Sequence, residues 1–308
     1  MYQAQRPSRS EFVPIRNLQY HVRIWGEATP GVPPLVLVHG WMDVGASWQF
    51  MVDALSGAFV AGRQIIAPDW RGYGQTALPD ADNYWFPDYL ADLDFLLDHY
   101  APDQPVDLVG HSMGGNVVML YAGARPARIR RLVNLEGFGM AATQPDQAPG
   151  RFAKWMDELK SLHRGDLALH SYADVAGVAR RLMKTNPRLP QDKADWLAHF
   201  WAAPRRESDG STRWHILGDP AHKIINASLY RVDEVLAIYR CIQAPTLAVE
   251  ASDDSLSQWW QGRYTLAEYH ERLQAVPDCR RAVVRDAGHM LHHDQPQALA
   301  ALLEPFLA

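Results

Sequence analysis

The chain has 308 residues, 47% of them hydrophobic and 21% charged, with a net charge of −5 at neutral pH. This suits one large α/β domain, with or without an insertion, and the acidic balance leaves no electrostatic footprint for nucleic acid. Cys241 and Cys279 make no disulfide framework, no apolar run approaches the length of a membrane span and no secretory signal is visible, so the expected compartment is the reducing cytoplasm.

Residues 1–10 read as a frayed polar leader. Phe12 to Trp25 alternates loosely, with Val22 and Ile24 on one face, as in a hairpin at a sheet edge. After Pro33-Pro34 comes Leu35-Val-Leu-Val38, an all-apolar run of the kind buried on both faces of a parallel sheet; it ends in His39-Gly40-Trp41. Ser47 to Leu55 reads as a helix. Residues 64–67 form a second buried strand, ending in Asp69-Trp-Arg-Gly72. Tyr84 to Tyr100 is helical, with Leu90, Leu93, Leu96 and Leu97 on one face.

Val106 to Val109 is strand-like and runs into Gly110-His111-Ser112-Met113-Gly114, with a helix-like segment behind it. A strand, a G-x-S-x-G turn and a helix in succession form a nucleophile elbow, which makes Ser112 the candidate nucleophile. The basic cluster Arg125, Arg128, Arg130 and Arg131 reads as a solvated helix end, and residues 131–135 are a further strand, ending at Glu136. Strand–helix alternation then stops. Residues 138–240 are helical in pattern and rich in large aromatics, among them Trp155 and Trp214. Alternation resumes with the strand at 245–249, a helix near 265–276, the strand at 281–284 and a closing helix at 295–307. The expected division is a core domain of residues 1–137 and 241–308, and a helical cap of residues 138–240 over the strands' C-terminal edge, where open α/β sheets bind ligands.

A serine at neutral pH needs a base, and position must choose among 13 histidines. Gly288-His289 follows the last buried strand by a short loop, on the same sheet edge as the elbow, so His289 is the choice. Three carboxylates stand at strand ends and could hold the histidine: Asp254 and Asp253 after one strand, Glu136 after another. Asp254 is preferred, because Ser112…Asp254…His289 follows the nucleophile–acid–base order, although Glu136 keeps that order too. The oxyanion formed on attack calls for two N–H donors, expected from Met113 at the helix start and from Trp41 after Gly40. Asp69 and Arg71 read as an ion pair that locks their loop. Trp41, Asp43, His111, Trp155, Trp214 and Met290 are the expected pocket-lining residues.

Together, His39-Gly40-Trp41, Asp69-Trp-Arg-Gly-Tyr-Gly74, Gly110-His-Ser-Met-Gly-Gly115 and Gly288-His289 resemble the α/β-hydrolase superfamily, over about residues 12–308. His39-Gly-Trp-Met-Asp43 with the elbow looks most like its serine-hydrolase-like, esterase-type members with a helical cap. The resemblance implies a mostly parallel eight-stranded sheet flanked by helices, a cap after the sixth strand, and an acid after the seventh in a Gly-x-x-Asp pattern. Ala251-Ser-Asp-Asp254 departs from that pattern by an alanine for the glycine. Relatives that open epoxides or remove halide carry aspartate at the elbow, and position 112 is serine. The expected activity is hydrolysis of a small-molecule ester or thioester with an apolar acyl group, without metal or organic cofactor. The alternatives are carbon–carbon bond cleavage on the same residues, and a ligand-binding relative without turnover.

Overall fold

Short apolar runs set the layout of the computed structural model, which describes residues 2–308. The strands are β1 (Arg9–Ile15), β2 (Leu18–Trp25), β3 (Leu35–Val38), β4 (Ile65–Pro68), β5 (Val106–His111), β6 (Ile129–Leu135), β7 (Ser171–Tyr172), β8 (Ala202–Arg206), β9 (Thr212–Ile216), β10 (Thr246–Ala251) and β11 (Cys279–Val284). The helices are α1 (Gln49–Ala54), α2 (Gly57–Val60), α3 (Pro87–Tyr100), α4 (Met113–Ala124), α5 (Ala148–His163), α6 (Val175–Thr185), α7 (Gln191–Trp201), α8 (Val232–Tyr239), α9 (Ser255–Trp260), α10 (Leu266–Leu273), α11 (Leu291–Asp294) and α12 (Pro296–Leu307).

Eight strands form one sheet in the order β1-β2-β4-β3-β5-β6-β10-β11, antiparallel at β1/β2 and β2/β4 and parallel elsewhere. β3, β4 and β5 are buried along their whole lengths, because helices cover both faces. One face packs Leu93, Leu96 and Leu97 of α3, Val117 and Val118 of α4, and Tyr269 and Leu273 of α10. The other packs Met51 and Val52 of α1 with Leu299, Leu303 and Leu307 of α12. The chain leaves β3 toward β4 on one side and leaves β5 toward β6 on the other. The C-terminal ends of β3 and β5 therefore flank a topological switch point, the place where a crevice opens.

The segment between β6 and β10 is more than helical. Besides α5, α6 and α7 it holds a three-stranded antiparallel sheet, β7-β9-β8. Alternation in Thr212–Ile216 is obscured by Trp and His on both faces, so periodicity alone hides the strand. The inserted part also stops short of residue 240. α8 lies so close on α4 that a Cβ on Gly123 would stand 2.2 Å from the Ile238 carbonyl oxygen, and Val235 and Tyr239 join the core layer. The first residues are not a frayed leader either. Tyr2 packs edge-on against Phe50 and Trp196, and Asp53 accepts hydrogen bonds from its hydroxyl and from the Gln5 and Arg6 amides. Among the described residues, no helix is long and apolar enough to cross a membrane.

The turn after β4 is fixed by charge, though not by pairing Asp69 with Arg71. Asp69 accepts from the Gly45 and Gln75 amides and pairs with His21 at 2.7 Å. Arg71 instead makes a bidentate pair with Asp92 of α3 at 2.6 and 2.7 Å, and Asp92 also accepts from the Tyr20 hydroxyl. Removing one partner of such a buried pair strands the other charge away from water. Asp92→Asn is therefore expected to lower the unfolding free energy by about 3–5 kcal/mol in urea titration; an unchanged midpoint would show that the turn is held by packing alone.

Candidate active site

Ser112 lies between β5 and α4 with φ 54° and ψ −116°, in a region that non-glycine residues rarely occupy. The surrounding backbone forces this. A Cβ on Gly110 would meet the Gly114 carbonyl oxygen at 2.3 Å, and one on Gly114 would meet the Val38 and His39 carbonyl oxygens at 2.5 and 2.6 Å. Strand and helix thus cross at a distance only glycine permits, and the serine between them is turned outward.

His289 lies in the loop after β11, with 22% of its side chain exposed. Its Nδ1 stands 3.2 Å from Glu136 Oε2. Glu136 closes β6, buried and at φ 56°, and its Oε1 accepts from the Ala251 amide at 2.7 Å. The preference for Asp254 does not match this geometry. Asp254 caps α9, accepting from the Ser257 amide at 2.8 Å and the Ser257 hydroxyl at 2.5 Å. Asp253 pairs with Arg188 of the inserted segment at 2.6 Å. Both carboxylates are committed elsewhere, and Glu136 is the one that the fold brings to His289.

Burial pushes the Glu136 carboxyl up to about 7, against the downward pull of the Ala251 amide and the Ser255 hydroxyl; Asp254 and Asp253 nearby add to the rise. Burial also pushes His289 down to about 3, which keeps the imidazole neutral and able to take a proton.

The loop after β3 closes on the serine from the other side. A Cβ on Gly40 would stand 3.0 Å from the Ser112 Cβ and 3.2 Å from the His111 Nδ1. Trp41 and Met113 therefore flank Ser112, and both border its cavity. The Met113 amide is the first of α4, where the helix leaves N–H groups free to point outward.

A cavity of about 790 Å³ opens at Ser112, Met113 and Glu136. Leu120, Phe138, Tyr230, Ile238, Leu256 and Trp259 give it mostly apolar walls, and Trp259 also meets the His289 ring edge-on at 4.3 Å. Trp41 lines this cavity as expected, whereas Asp43, His111, Trp155, Trp214 and Met290 do not. Asp43 and His111 point down into the core behind the strand ends. Trp155 turns its indole N–H toward Asn83, Trp214 packs within the inserted segment, and Met290 leads into α11. Asn116, one helical turn after Ser112, also lines the cavity and was missed, although its i+4 spacing could have placed it there. The adjacent Trp259-Trp260 pair also carried a signal in its aromatic character. Tyr230 is one of the large aromatics of residues 138–240, whereas Ile238, more than a hundred residues from the elbow, carried no signal.

His111 has a different place. Its buried ring hydrogen-bonds through Nε2 to the His289 carbonyl oxygen at 2.7 Å, tying the residue before Ser112 to the His289 loop.

Comparison with known proteins agrees with this architecture. The family described as "alpha/beta hydrolase fold" matches residues 33–296. A serine hydrolase-like protein of Danio rerio is 24% identical over 308 residues, covering 98% of this chain and 89% of its own. A 2-hydroxy-6-oxo-2,4-heptadienoate hydrolase of Pseudomonas putida is 37% identical over 111 residues, 35% of this chain and 38% of that one. Among solved structures, the thioesterase domain from the curacin biosynthetic pathway superposes with a TM-score of 0.78 at 24% identity, covering 96% of this chain and 99% of that one.

Because His111 donates to a buried carbonyl, His111→Phe should leave that acceptor unpaired and lower the unfolding free energy by about 1–3 kcal/mol. Urea titration, with amide exchange at His289, reads this; equal stability of variant and wild type would show that the bond carries no weight.

Proposed function

The chain belongs to the α/β-hydrolase fold family, and from that premise we propose that it is a serine hydrolase, cleaving esters or thioesters of small to medium apolar acyl groups through an acyl-enzyme on Ser112. The observation that carries this reading is the pairing of His289 with Glu136 at the edge of the cavity onto which Ser112 is turned. His289 takes the hydroxyl proton as Ser112 attacks the carbonyl, and Glu136 holds the ring's tautomer and stabilises the imidazolium. The Trp41 and Met113 amides receive the oxyanion. His289 then protonates the leaving group, and in a second half-reaction it activates water to release the acid. The apolar walls around Phe138, Leu256 and Trp259 favour an acyl chain over a charged one. The mechanism routes no step through a metal or organic cofactor.

Carbon–carbon bond hydrolysis on the same three residues is a second reading, favoured by the partial likeness to the Pseudomonas putida enzyme. Turnover of a vinylogous diketone without esterase activity would select it.

Ser112→Ala against a panel of p-nitrophenyl esters and acyl thioesters of rising chain length tests the main reading. The wild type should turn over and the variant should lose nearly all activity; equal rates would end the serine-hydrolase proposal. Glu136→Gln should lower kcat by about 10³–10⁴-fold, and Asp254→Asn should stay within a few-fold of wild type. The reverse ranking would return the acid role to Asp254. The pH profile has a definite sign. Above about 7 the Glu136 carboxylate is ionised beside a neutral imidazole, whereas below it the pair holds an extra proton. The kcat/KM value should thus rise through a midpoint near 7. The limb should vanish in Glu136→Gln, and a profile flat from pH 5 to 8 (about that range) would contradict the assignment.

A further inference from the structure

Behind the catalytic loop lies a second cluster of polar side chains that the proposed reaction does not use. Asp43 leaves the loop after β3, and His292 and His293 lie on α11, directly after His289. All three are buried, with exposures of 4%, 1% and 3%. Their candidate ligand atoms lie within 4.8 Å of one another, and His292 Nε2 is 4.0 Å from Asp43 Oδ2. Asp43 Oδ2 and both ring nitrogens of His292 lack hydrogen-bond partners, and the His293 ring faces the Ser47 backbone without forming a well-aligned hydrogen bond. Polar atoms left unpaired in a protein interior cost about 1–3 kcal/mol each, so the arrangement calls for something between them.

We propose that Asp43, His292 and His293 form a binding site for a divalent transition-metal ion of the zinc type, which ties the loop of the catalytic histidine to the loop that lines the oxyanion. The donor set is two imidazoles and one carboxylate, a combination that suits zinc-type ions. Tetrahedral bonds of about 2.0–2.2 Å put neighbouring ligand atoms about 3.4 Å apart, so the cluster needs to contract by only about an ångström. Burial keeps both imidazoles neutral, the form that ligates. The surroundings already resemble a support shell. Asp43 Oδ1 accepts from the Val44 amide, the Ser47 hydroxyl and the Trp201 indole N–H, which fixes the carboxylate and leaves Oδ2 free. Trp48 lies tilted against His292 at 4.8 Å between ring centres, and Phe50 meets His293 edge-on at 5.3 Å, which excludes bulk water. The site is structural, since the ion would stand behind His289, on the side away from the cavity.

The test uses the full chain, stripped with a chelator and titrated with Co²⁺ and then Zn²⁺. One equivalent of Co²⁺ should bind with visible ligand-field absorption of tetrahedral type, Zn²⁺ should displace it, and the Tm should rise by several degrees, roughly as a tight ligand of the native state requires. Asp43→Asn keeps the shape and should weaken binding at least tenfold; His293→Phe should abolish it. His215→Asn, at a half-buried His–Glu pair elsewhere, should leave it intact. Circular dichroism confirms that each variant is folded, and Asp43→Asn serves if the histidine variants are not. No stoichiometric binding, or binding undiminished in folded Asp43→Asn and His293→Phe, overturns the proposal and leaves ordered water to fill the cluster.

Discussion

The site depends on one close crossing of backbone. β5 and α4 meet where Gly110 and Gly114 have no side chains, and the carbonyl oxygens of Val38 and His39 press against the same place from β3. Any Cβ there would push helix and strands apart, and the serine between them would relax out of its strained conformation. The strain at Ser112 is therefore imposed by the packing of three central elements, each buried over most of its length. That arrangement leaves Ser112 and the start of α4 bordering the cavity, and lets the loop after β3 approach. The proposed attack on a carbonyl, with Ser112 as nucleophile beside N–H donors at the start of α4, would draw on this crossing.

His289, the proposed base, is held by three separate supports although it lies in a loop. Glu136 reaches it from β6, Trp259 covers its ring from α9, and His111 binds its carbonyl from the residue next to the nucleophile. Glu136 is itself oriented by the Ala251 amide of β10. A chain of contacts thus runs across β6, β10 and β5 and returns to the elbow, so displacement of His289 away from Ser112 would have to break several buried contacts together.

Much of this was legible in the residues. Short all-apolar runs mark the central strands, because only a strand covered on both faces can lack polar residues, and G-x-S-x-G between a strand and a helix marks the turn. Glu136 was among the three candidate carboxylates, but which of them stands beside His289 was not legible, and the reasons are particular. Asp254 has the expected position, but Ser257 three residues on makes it a helix cap, a local signal that competes with the catalytic one. Asp253 is taken by Arg188, a partner 65 positions away that no spacing rule could pair with it. Glu136 reaches His289 from a left-handed backbone position, and nothing in the local sequence fixes that conformation. The small sheet β7-β9-β8 escaped notice for a related reason: its alternation is masked by aromatics that serve the inserted segment's own core.

The division between legible and illegible parts follows the physics of each. The elbow arises from contacts between neighbours in sequence or in the sheet, so a pattern of glycines can encode it. The cavity arises where α8, α9 and the inserted segment meet the strand ends, and its walls at Phe138, Tyr230, Ile238 and Trp259 are spread over more than a hundred residues. Apolar residues at those positions satisfy the core and the cleft equally well, so their type alone does not reveal which surface they face. Reaction type is thus written in a local geometry that tolerates almost no substitution. Substrate choice rests on long-range packing, where many substitutions fit, and members of one fold family can keep the first while changing the second.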